Sequence, residues 1–448
     1  MQYHRPCRAL GLSFTLVSVV TGCGYAGNWD WPSHGSPPVQ YSGPDGSGPS
    51  GVTQGRDGNF YGTTSNGGQF NQGTVFRISP DGVETVLYSF AGGPSDGAQP
   101  NGSLIQGSDG NFYGTTNNGG IGVCPRPGPV SGNAESACGT VFTVTPDGAE
   151  AVLYFFQDTT DGGEPNGGLI LGSDGNFYGT STSGGLANTY CGGGGCGVVF
   201  KITPAGAETA VYAFGSQPGD GVIPSSVVQG SDGNFYGTAF LGGQFNEGMV
   251  FKVTPAGAET LLHSFNAGDN DGQRPEAPLV QGSDGNFYGT TSFGGISTDN
   301  PVASCLNGGC GTVFKITPAG ALTALYAFGG NATDGANPYS AGLIQGSNGN
   351  LYGTTTAGGV STNCNGGCGI AFSITPGGTE AALYLFAGGT SDGAYPTAGL
   401  VQGSDGNFYG TTAQGGKFNG GTVFRITPAG VETLLHSFGG SSNTDMNP

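Results

Sequence analysis

The sequence predicts an all-β fold, a seven-bladed β-propeller built from seven four-stranded repeats of about 52–65 residues. The first observation behind this is the phrase Gly-Ser-Asp-Gly-Asn-Phe-Tyr-Gly-Thr-Thr at 107–116 and its near copies, whose aromatic pairs are Phe60-Tyr61, Phe112-Tyr113, Phe177-Tyr178, Phe235-Tyr236, Phe287-Tyr288 and Phe408-Tyr409. A divergent copy carries Asn348, Leu351 and Tyr352. Successive copies lie 52, 65, 58, 52, 64 and 57 residues apart, a spacing of propeller blades rather than solenoid coils. The second observation is that each period holds four short apolar, β-branched or aromatic runs separated by Gly, Pro and Asp, with no helical periodicity. The third is the adjacency of Phe and Tyr. Neighbouring strand residues point to opposite faces, so both faces need cover, as in a sheet packed between two others.

The four runs are strands a to d. Strand a is typified by Gly-Leu-Ile-Gln at 342–345, strand b by Phe-Tyr-Gly-Thr-Thr, strand c by Gly-Thr-Val-Phe-Lys-Ile-Thr at 311–317, and strand d by Glu-Thr-Leu-Leu-His-Ser-Phe at 259–265. Ser-Asp-Gly-Asn joins a to b and Pro-Ala-Gly joins c to d, both suited to tight hairpins because Gly accepts positive φ. The order a-b-c-d is in phase with the chain, so no strand visibly crosses from one terminus to complete the other's blade. Ring closure is therefore left open. The tail Asp445-Met446-Asn447-Pro448 looks like the start of an eighth unit, which makes an eight-bladed or truncated parent an alternative.

Taken in order, residues 1–22 read as a lipoprotein-type signal. Arg5 and Arg8 precede an apolar stretch from Leu10 to Val20, and Val20-Thr21-Gly22-Cys23 ends it. Cys23 is the expected lipid attachment; ordinary cleavage near Gly22 or Ala26 is the alternative. Residues 23–44, rich in Gly, Pro and Ser and carrying Trp29, Trp31 and His34, read as a flexible tether. The repeats fill 45–440, and 441–448 form a tail.

Every unit opens with Asp-Gly-x-x-Pro, at Asp45, Asp96, Asp161, Asp220, Asp271, Asp334 and Asp392. Antiparallel order sends these d–a joins and the b–c loops to one face and the constant hairpins to the other. The b–c loops hold the length variation: the spacing from the Gly of Phe-Tyr-Gly to the Gly opening strand c is 11, 25, 18, 11, 22, 16 and 11 residues. Units 1, 4 and 7 share a short loop carrying Phe70, Phe245 and Phe418. Units 2 and 5 have the longest loops and units 3 and 6 intermediate ones, a trace of duplication in three-unit blocks.

Eight of the ten cysteines sit in the longer loops, as Cys124/Cys138, Cys191/Cys196, Cys305/Cys310 and Cys364/Cys368. Pairing within each loop is the simplest disulfide scheme for an exported protein, although eight cysteines allow 105 pairings. Cys-x4-Cys occurs twice, but no His lies near enough for a zinc site to compete. Because these loops lie outside the blades, reduction is expected to loosen one face only.

Formal charge is −19, or −21 once Arg5 and Arg8 leave with the leader, which argues against nucleic acid or anionic lipid as a ligand. Five cations share one strand-c position (Arg77, Lys201, Lys252, Lys315, Arg425), and Glu84, Glu150, Glu208, Glu259, Glu380 and Glu432 stand on strand d. Diagonal cross-strand ion pairs are the expectation, each worth about 0–1 kcal/mol. His263 and His436 replace a strand-d Tyr and read as packing variants. The seven joining aspartates could ligate calcium, but a turn-forming role explains them more simply. A near-constant Gln (Gln54, Gln106, Gln229, Gln281, Gln345, Gln402, with Leu171 the exception) lines the innermost strands. Glu164, Arg274 and Glu276 are the charged residues near the variable rim, read as solvated. No catalytic constellation, metal site or cofactor motif is evident, and a monomer is expected.

These phrases, together with Leu-Tyr-x-Phe, resemble the GloVer-type tandem repeat of bacterial "choice-of-anchor" surface proteins over nearly all of 45–440. The resemblance implies a secreted β-propeller of unassigned activity, supplies no catalytic residues, and makes Cys23 the anchor. The expected function is an exported, lipid-anchored envelope module that binds a glycan, peptide or protein through its variable face, with Phe70, Phe245, Phe418, Arg274 and Glu276 as candidates. The alternative is an envelope lyase or hydrolase with a rim pocket; near-identical repeats argue against it, since catalysis needs unlike groups together.

Overall fold

A computed structural model describes residues 43–439 apart from 123, 125–136, 187–190, 192–193, 267–270, 296–304, 306–308, 330–332 and 340–341. Residues 1–42 and 440–448, with Cys23, both tryptophans and the tail, lie outside the described residues.

The seven repeats form seven antiparallel blades with strand order a-b-c-d. Blade 1 has strand a at Ser47–Gln54, b at Phe60–Asn66, c at Thr74–Ile78 and d at Glu84–Ser89. Strand a is longer than the sequence suggests, because its first half is the Asp-Gly-x-x-Pro segment itself. In blades 1, 3 and 4 it runs through a bulge, and in blades 2, 6 and 7 it breaks into two pieces. The interruption falls at or beside the Pro, which has no N–H to give the ladder. Strand a lies innermost: a side chain built on Gly51 would meet Ser103 of blade 2 and Ala398 of blade 7, its neighbours on either side.

The Ser-Asp-Gly-Asn-Phe-Tyr-Gly phrase is a self-contained device. The Asp57 carboxylate accepts from the Asn59 amide N–H (3.1 Å), the Asn59 side chain (2.7 Å) and the Tyr61 hydroxyl (2.8 Å), tying turn and strand together. In the divergent unit Asn348 keeps the contact by donating its side-chain amide to the Tyr352 hydroxyl. The Gly after Tyr makes room for a ring. A Cβ on Gly62 would lie 2.6 Å from Phe76 of strand c and 2.4 Å from the Gly51 carbonyl oxygen, and the same crowding recurs at Gly237.

Blades are held together by two aromatic girdles. The strand-b Tyr of one blade stacks on the strand-b Phe of the next at 3.9–4.1 Å, interrupted only where Leu351 replaces Phe. The Phe ending strand d packs on the strand-c Phe of the next blade at 5.0–5.3 Å in all seven seams. Ring closure uses the same contacts. Tyr409 stacks on Phe60, Phe438 packs on Phe76, and the Gly48 N–H donates to the Gly420 carbonyl at 2.9 Å. Among the described residues no strand is exchanged between blades 1 and 7.

The near-constant Gln turns out to be a seam residue. Its side-chain oxygen accepts from the hairpin amide of the preceding blade, as in Ser231 N–H to Gln281 (2.8 Å) and, across the closure, Ser404 N–H to Gln54 (2.9 Å). Leu171 cannot do this for Ser108. Leu171→Gln is therefore expected to stabilise the protein by about 1 kcal/mol, the net worth of one added hydrogen bond. A thermal melt that moves down would show that Leu171's apolar packing outweighs it.

The candidate binding face

Each d–a join is locked to the blade before it. The joining Asp sits in a turn whose oxygens are already engaged: Asp96 accepts from the Tyr88 hydroxyl (3.0 Å), the Ala91 N–H (2.6 Å) and the Gly97 N–H (2.7 Å). Asp220, Asp334 and Asp392 are held likewise. Among the described residues no three His, Cys, Asp or Glu side chains gather as metal ligands. The turn role accounts for the engaged oxygens of these aspartates. His263 and His436 preserve the contact, reaching Asp271 at 2.6 Å and Asp45 at 3.5 Å.

The expected strand-c to strand-d ion pairs do not form. Among the described residues no ion pair joins Arg77, Lys201, Lys252, Lys315 or Arg425 to the strand-d glutamates. Register places Arg77 opposite Thr85, with Glu84 opposite Ile78. The glutamates turn instead into the seams. Burial first, and the nearby Asp45 carboxylate second, push Glu84 up to about 8. Burial with Asp96, Asp161, Asp220, Asp334 and Asp392 pushes Glu150, Glu208, Glu259, Glu380 and Glu432 up to about 7.

After the Asp comes the docking step. The residue before each Pro donates its N–H, at 2.8–3.1 Å, to the carbonyl just ahead of the strand-c Gly in the preceding blade. The acceptors are Gln72, Cys138, Cys196, Glu247, Cys310, Cys368 and Gly420. The following Pro ring packs on that same Gly, as Pro100 does on Gly73 and Pro49 on Gly421. This geometry holds the residue before Pro in the left-handed region in every unit. Only blade 1 has Gly48 there; Gln99, Glu164, Ile223, Arg274, Asn337 and Tyr395 adopt φ of 51–56°. Such a conformation is uncommon for side-chain-bearing residues and is further disfavoured before Pro.

The disulfides bear on this joint. Cys124–Cys138, Cys191–Cys196, Cys305–Cys310 and Cys364–Cys368 are bonded, each within its loop. The second cysteine of each pair is fully buried and offers its carbonyl to the next blade. The bridges are thus part of the inter-blade packing, not appendages outside the blades. Reduction is expected to loosen four seams as well as the loops, a wider effect than the loops' position in the sequence suggests. Amide exchange at Glu164, Ile223, Asn337 and Tyr395 measures it directly; unchanged protection there would confine the effect to the loops.

The innermost positions on this face are the residues after each Pro: Ser50, Asn101, Asn166, Ser225, Glu276, Tyr339 and Thr397. They reach across blades. The Asn101 amide donates to Asn166 at 3.1 Å and the Ser225 hydroxyl to the Pro275 carbonyl at 3.2 Å. Tyr339 meets the Glu276 carboxyl, and burial pushes Glu276 up to about 8 against the opposing pull of Tyr339 and Arg274. Glu276 is therefore not the solvated rim acid expected. The Arg274 guanidinium carbon lies 5.5 Å from the ring centres of both Phe240 and Phe293, and its Nε is 3.9 Å from Glu247.

The family model of the Gloeobacter/Verrucomicrobia repeat matches residues 36–124, 128–302 and 302–448. The chain belongs to this repeat family. No curated protein matches it. Among solved structures it is similar to a putative 6-phosphogluconolactonase from Bacteroides uniformis, at 14% identity and a TM-score of 0.50, covering 87% of this chain and 96% of that one. It also matches the extracellular domain of a putative hybrid two component system from B. thetaiotaomicron, at 10% identity and a TM-score of 0.49. That match covers 83% of this chain, which spans 38% of the other protein. At such identities the likeness concerns the fold alone.

Within this Gloeobacter/Verrucomicrobia repeat protein the sequence candidates separate. Arg274 and Glu276 fall in one sector with Phe240, Phe293 and Tyr339. Phe70 and Phe245 are exposed (49% and 46%), and Phe418 is half-buried under Lys417, whose Nζ lies 4.8 Å from its ring centre. Phe418 and Phe70 belong to adjacent blades, but Phe245 is three blades from Phe70, so they make no single patch. Of the residues flanking Pro, only Glu164, Arg274 and Glu276 were picked out from the sequence; the others were missed, although the signal was there: seven constant prolines with unlike neighbours.

Proposed function

We propose that this protein is an exported envelope module that binds its ligand on the face carrying the b–c loops and d–a joins. The observation that carries the reading is the contrast between the two faces. One presents the same Ser-Asp-Gly-Asn and Pro-Ala-Gly turns with few changes. The other gathers unlike side chains at equivalent positions on a rigid frame, where binding residues usually concentrate. Four disulfides fit an oxidising compartment. Binding is favoured over catalysis because the raised carboxyl Glu276 sits against a phenol and a cation, and the other carboxylate of that sector, Glu247, is engaged with Arg274.

The test is to screen the full chain against arrays of bacterial envelope glycans, peptides and proteins, then to shorten the blade 2 and blade 5 loops to the eleven-residue spacing of blade 4. The short loops of units 1, 4 and 7 still deliver the seam carbonyl from Gln72, Glu247 and Gly420, so the shortened protein should fold. Loss of binding by a protein that still folds, with a melt lowered by the two lost bridges, is the expected result; full retention of binding would move the search to the constant face. Attachment to a membrane through Cys23 is a separate part of the proposal. Cys23→Ser should abolish lipid labelling and release the protein to the soluble fraction, and unchanged labelling would exclude the anchor.

A further inference from the structure

We infer that the sector of the binding face shared by blades 4, 5 and 6, where Phe240, Glu247, Arg274, Glu276, Phe293 and Tyr339 converge, is a subsite for an uncharged oligosaccharide. The inference rests on the reading of this face as a binding face and assigns it a place and a ligand chemistry.

The sector is built, not incidental. In the other blades the position of Arg274 carries Gly, Gln, Glu, Ile, Asn or Tyr, and the position of Glu276 carries Ser, Asn, Tyr or Thr. Only here do a cation and an acid occupy the two flanks of one Pro. Arg274 is kept at φ 53°, where Gly would cost nothing, and its side chain stands 40% exposed between two phenyl rings contributed by different blades.

The chemistry selects the ligand. Arg274 is balanced by Glu247, and Glu276 is buried enough to hold its proton near neutral pH, so the sector presents little net charge. A phosphate or carboxylate ligand would find the charge of Arg274 already answered by Glu247, in a chain of formal charge −19. Sugar hydroxyls each donate and accept. They match a guanidinium that donates, a protonated carboxyl that does both and a phenol that does both. The half-buried rings of Phe240 and Phe293 leave apolar surface beside the guanidinium for the C–H groups of a pyranose, the mixed apolar and polar lining that small-ligand sites use. An extended peptide would have only strand a, the inner edge of each sheet, to pair with here, and the neighbouring blades' strands a crowd that edge.

The experiment titrates the full chain by calorimetry with two panels: neutral hexasaccharides (β-1,4-glucan, β-1,4-xylan, β-1,4-mannan, α-1,4-glucan and N-acetylated chitin oligomers) and charged or peptidic probes (oligogalacturonate and a decapeptide library). Two variants accompany it. Arg274→Gly relieves the left-handed backbone and so is not expected to unfold the protein; Tyr339→Phe removes one hydroxyl. The expected result is a neutral hexasaccharide that binds, with both variants weakening it at least tenfold at unchanged melting temperature. Sugar binding that ignores both variants would overturn the site while leaving the binding-face reading standing. Binding of oligogalacturonate or peptide instead would overturn the ligand class. No binding from either panel would overturn the inference, while the reading of this face stands or falls with the envelope-protein screen and the shortened loops.

Discussion

Raising the pH from 5 to 8 should lower the melting temperature of this protein, and six glutamates should carry most of the change. Glu84, Glu150, Glu208, Glu259, Glu380 and Glu432 all face a joining aspartate across a seam. Each has a buried carboxyl oxygen without a hydrogen-bond partner among the described residues. Burial, reinforced by the facing aspartate, holds Glu84 at about 8 and the other five at about 7, against an ordinary 4.5. The folded state therefore keeps protons that the unfolded chain has released. The stability they contribute is complete below about pH 4.5 and is lost as pH rises toward 7–8. The limit at the acid end comes from a different set. Burial opposes ionisation of Asp57, Asp174, Asp232, Asp284 and Asp405, but the Asn and Tyr hydrogen bonds of each hairpin outweigh it and hold them below 3.8. Their contribution disappears as pH falls through that region, so the optimum should lie near pH 4–5 by the same linkage. Calorimetry between pH 4 and 9 checks the shape. Replacing the six glutamates by Gln should flatten the alkaline slope, raising the melt at pH 8 and leaving it unchanged near pH 4.5. A slope that survives the replacement would mean other groups titrate.

The fold could be read from the sequence because each blade repeats the same local instruction. Asp-Gly-Asn makes the hairpin, Phe and Tyr face opposite ways, and the Gly behind them accepts the strand-c Phe. What could not be read lies between blades. Arg77 and Glu84 look like partners when two strands are laid side by side, yet Glu84 meets Asp45 because adjacent blades bring the d–a join over the end of strand d. The near-constant Gln looked like a channel lining for the same reason. The binding face was half legible. The variable loops stood out by length, while the residues flanking Pro stood out only as variation inside a constant frame. Their left-handed backbone comes from an inter-blade hydrogen bond that no single repeat encodes.

The second large effect concerns ring closure, where blades 1 and 7 are held by side-chain packing and a few hydrogen bonds and share no strand among the described residues. Phe438 on Phe76 repeats at 5.0 Å the contact that Phe265 makes on Phe314 at 5.3 Å inside the ring. Both Phe438 and Phe265 are fully buried. Phe→Ala at a buried site costs about 3–5 kcal/mol, so Phe438→Ala and Phe265→Ala are expected to destabilise by similar amounts. The closing seam also has the Tyr409–Phe60 stack, the Ser404–Gln54 hydrogen bond and the Gly439 N–H on Asp45 at 3.2 Å. Equal costs in denaturant melts would mean that the closure carries the same load as any internal seam. The informative departure is a small cost for Phe438→Ala beside a full cost for Phe265→Ala. That pattern would mean the ring already opens at blades 7 and 1 in the native state. Amide exchange at Gly48, whose N–H closes the ring on Gly420, would then be fast in the unmutated protein, whereas a closed ring protects it as well as Arg274 is protected by Glu247.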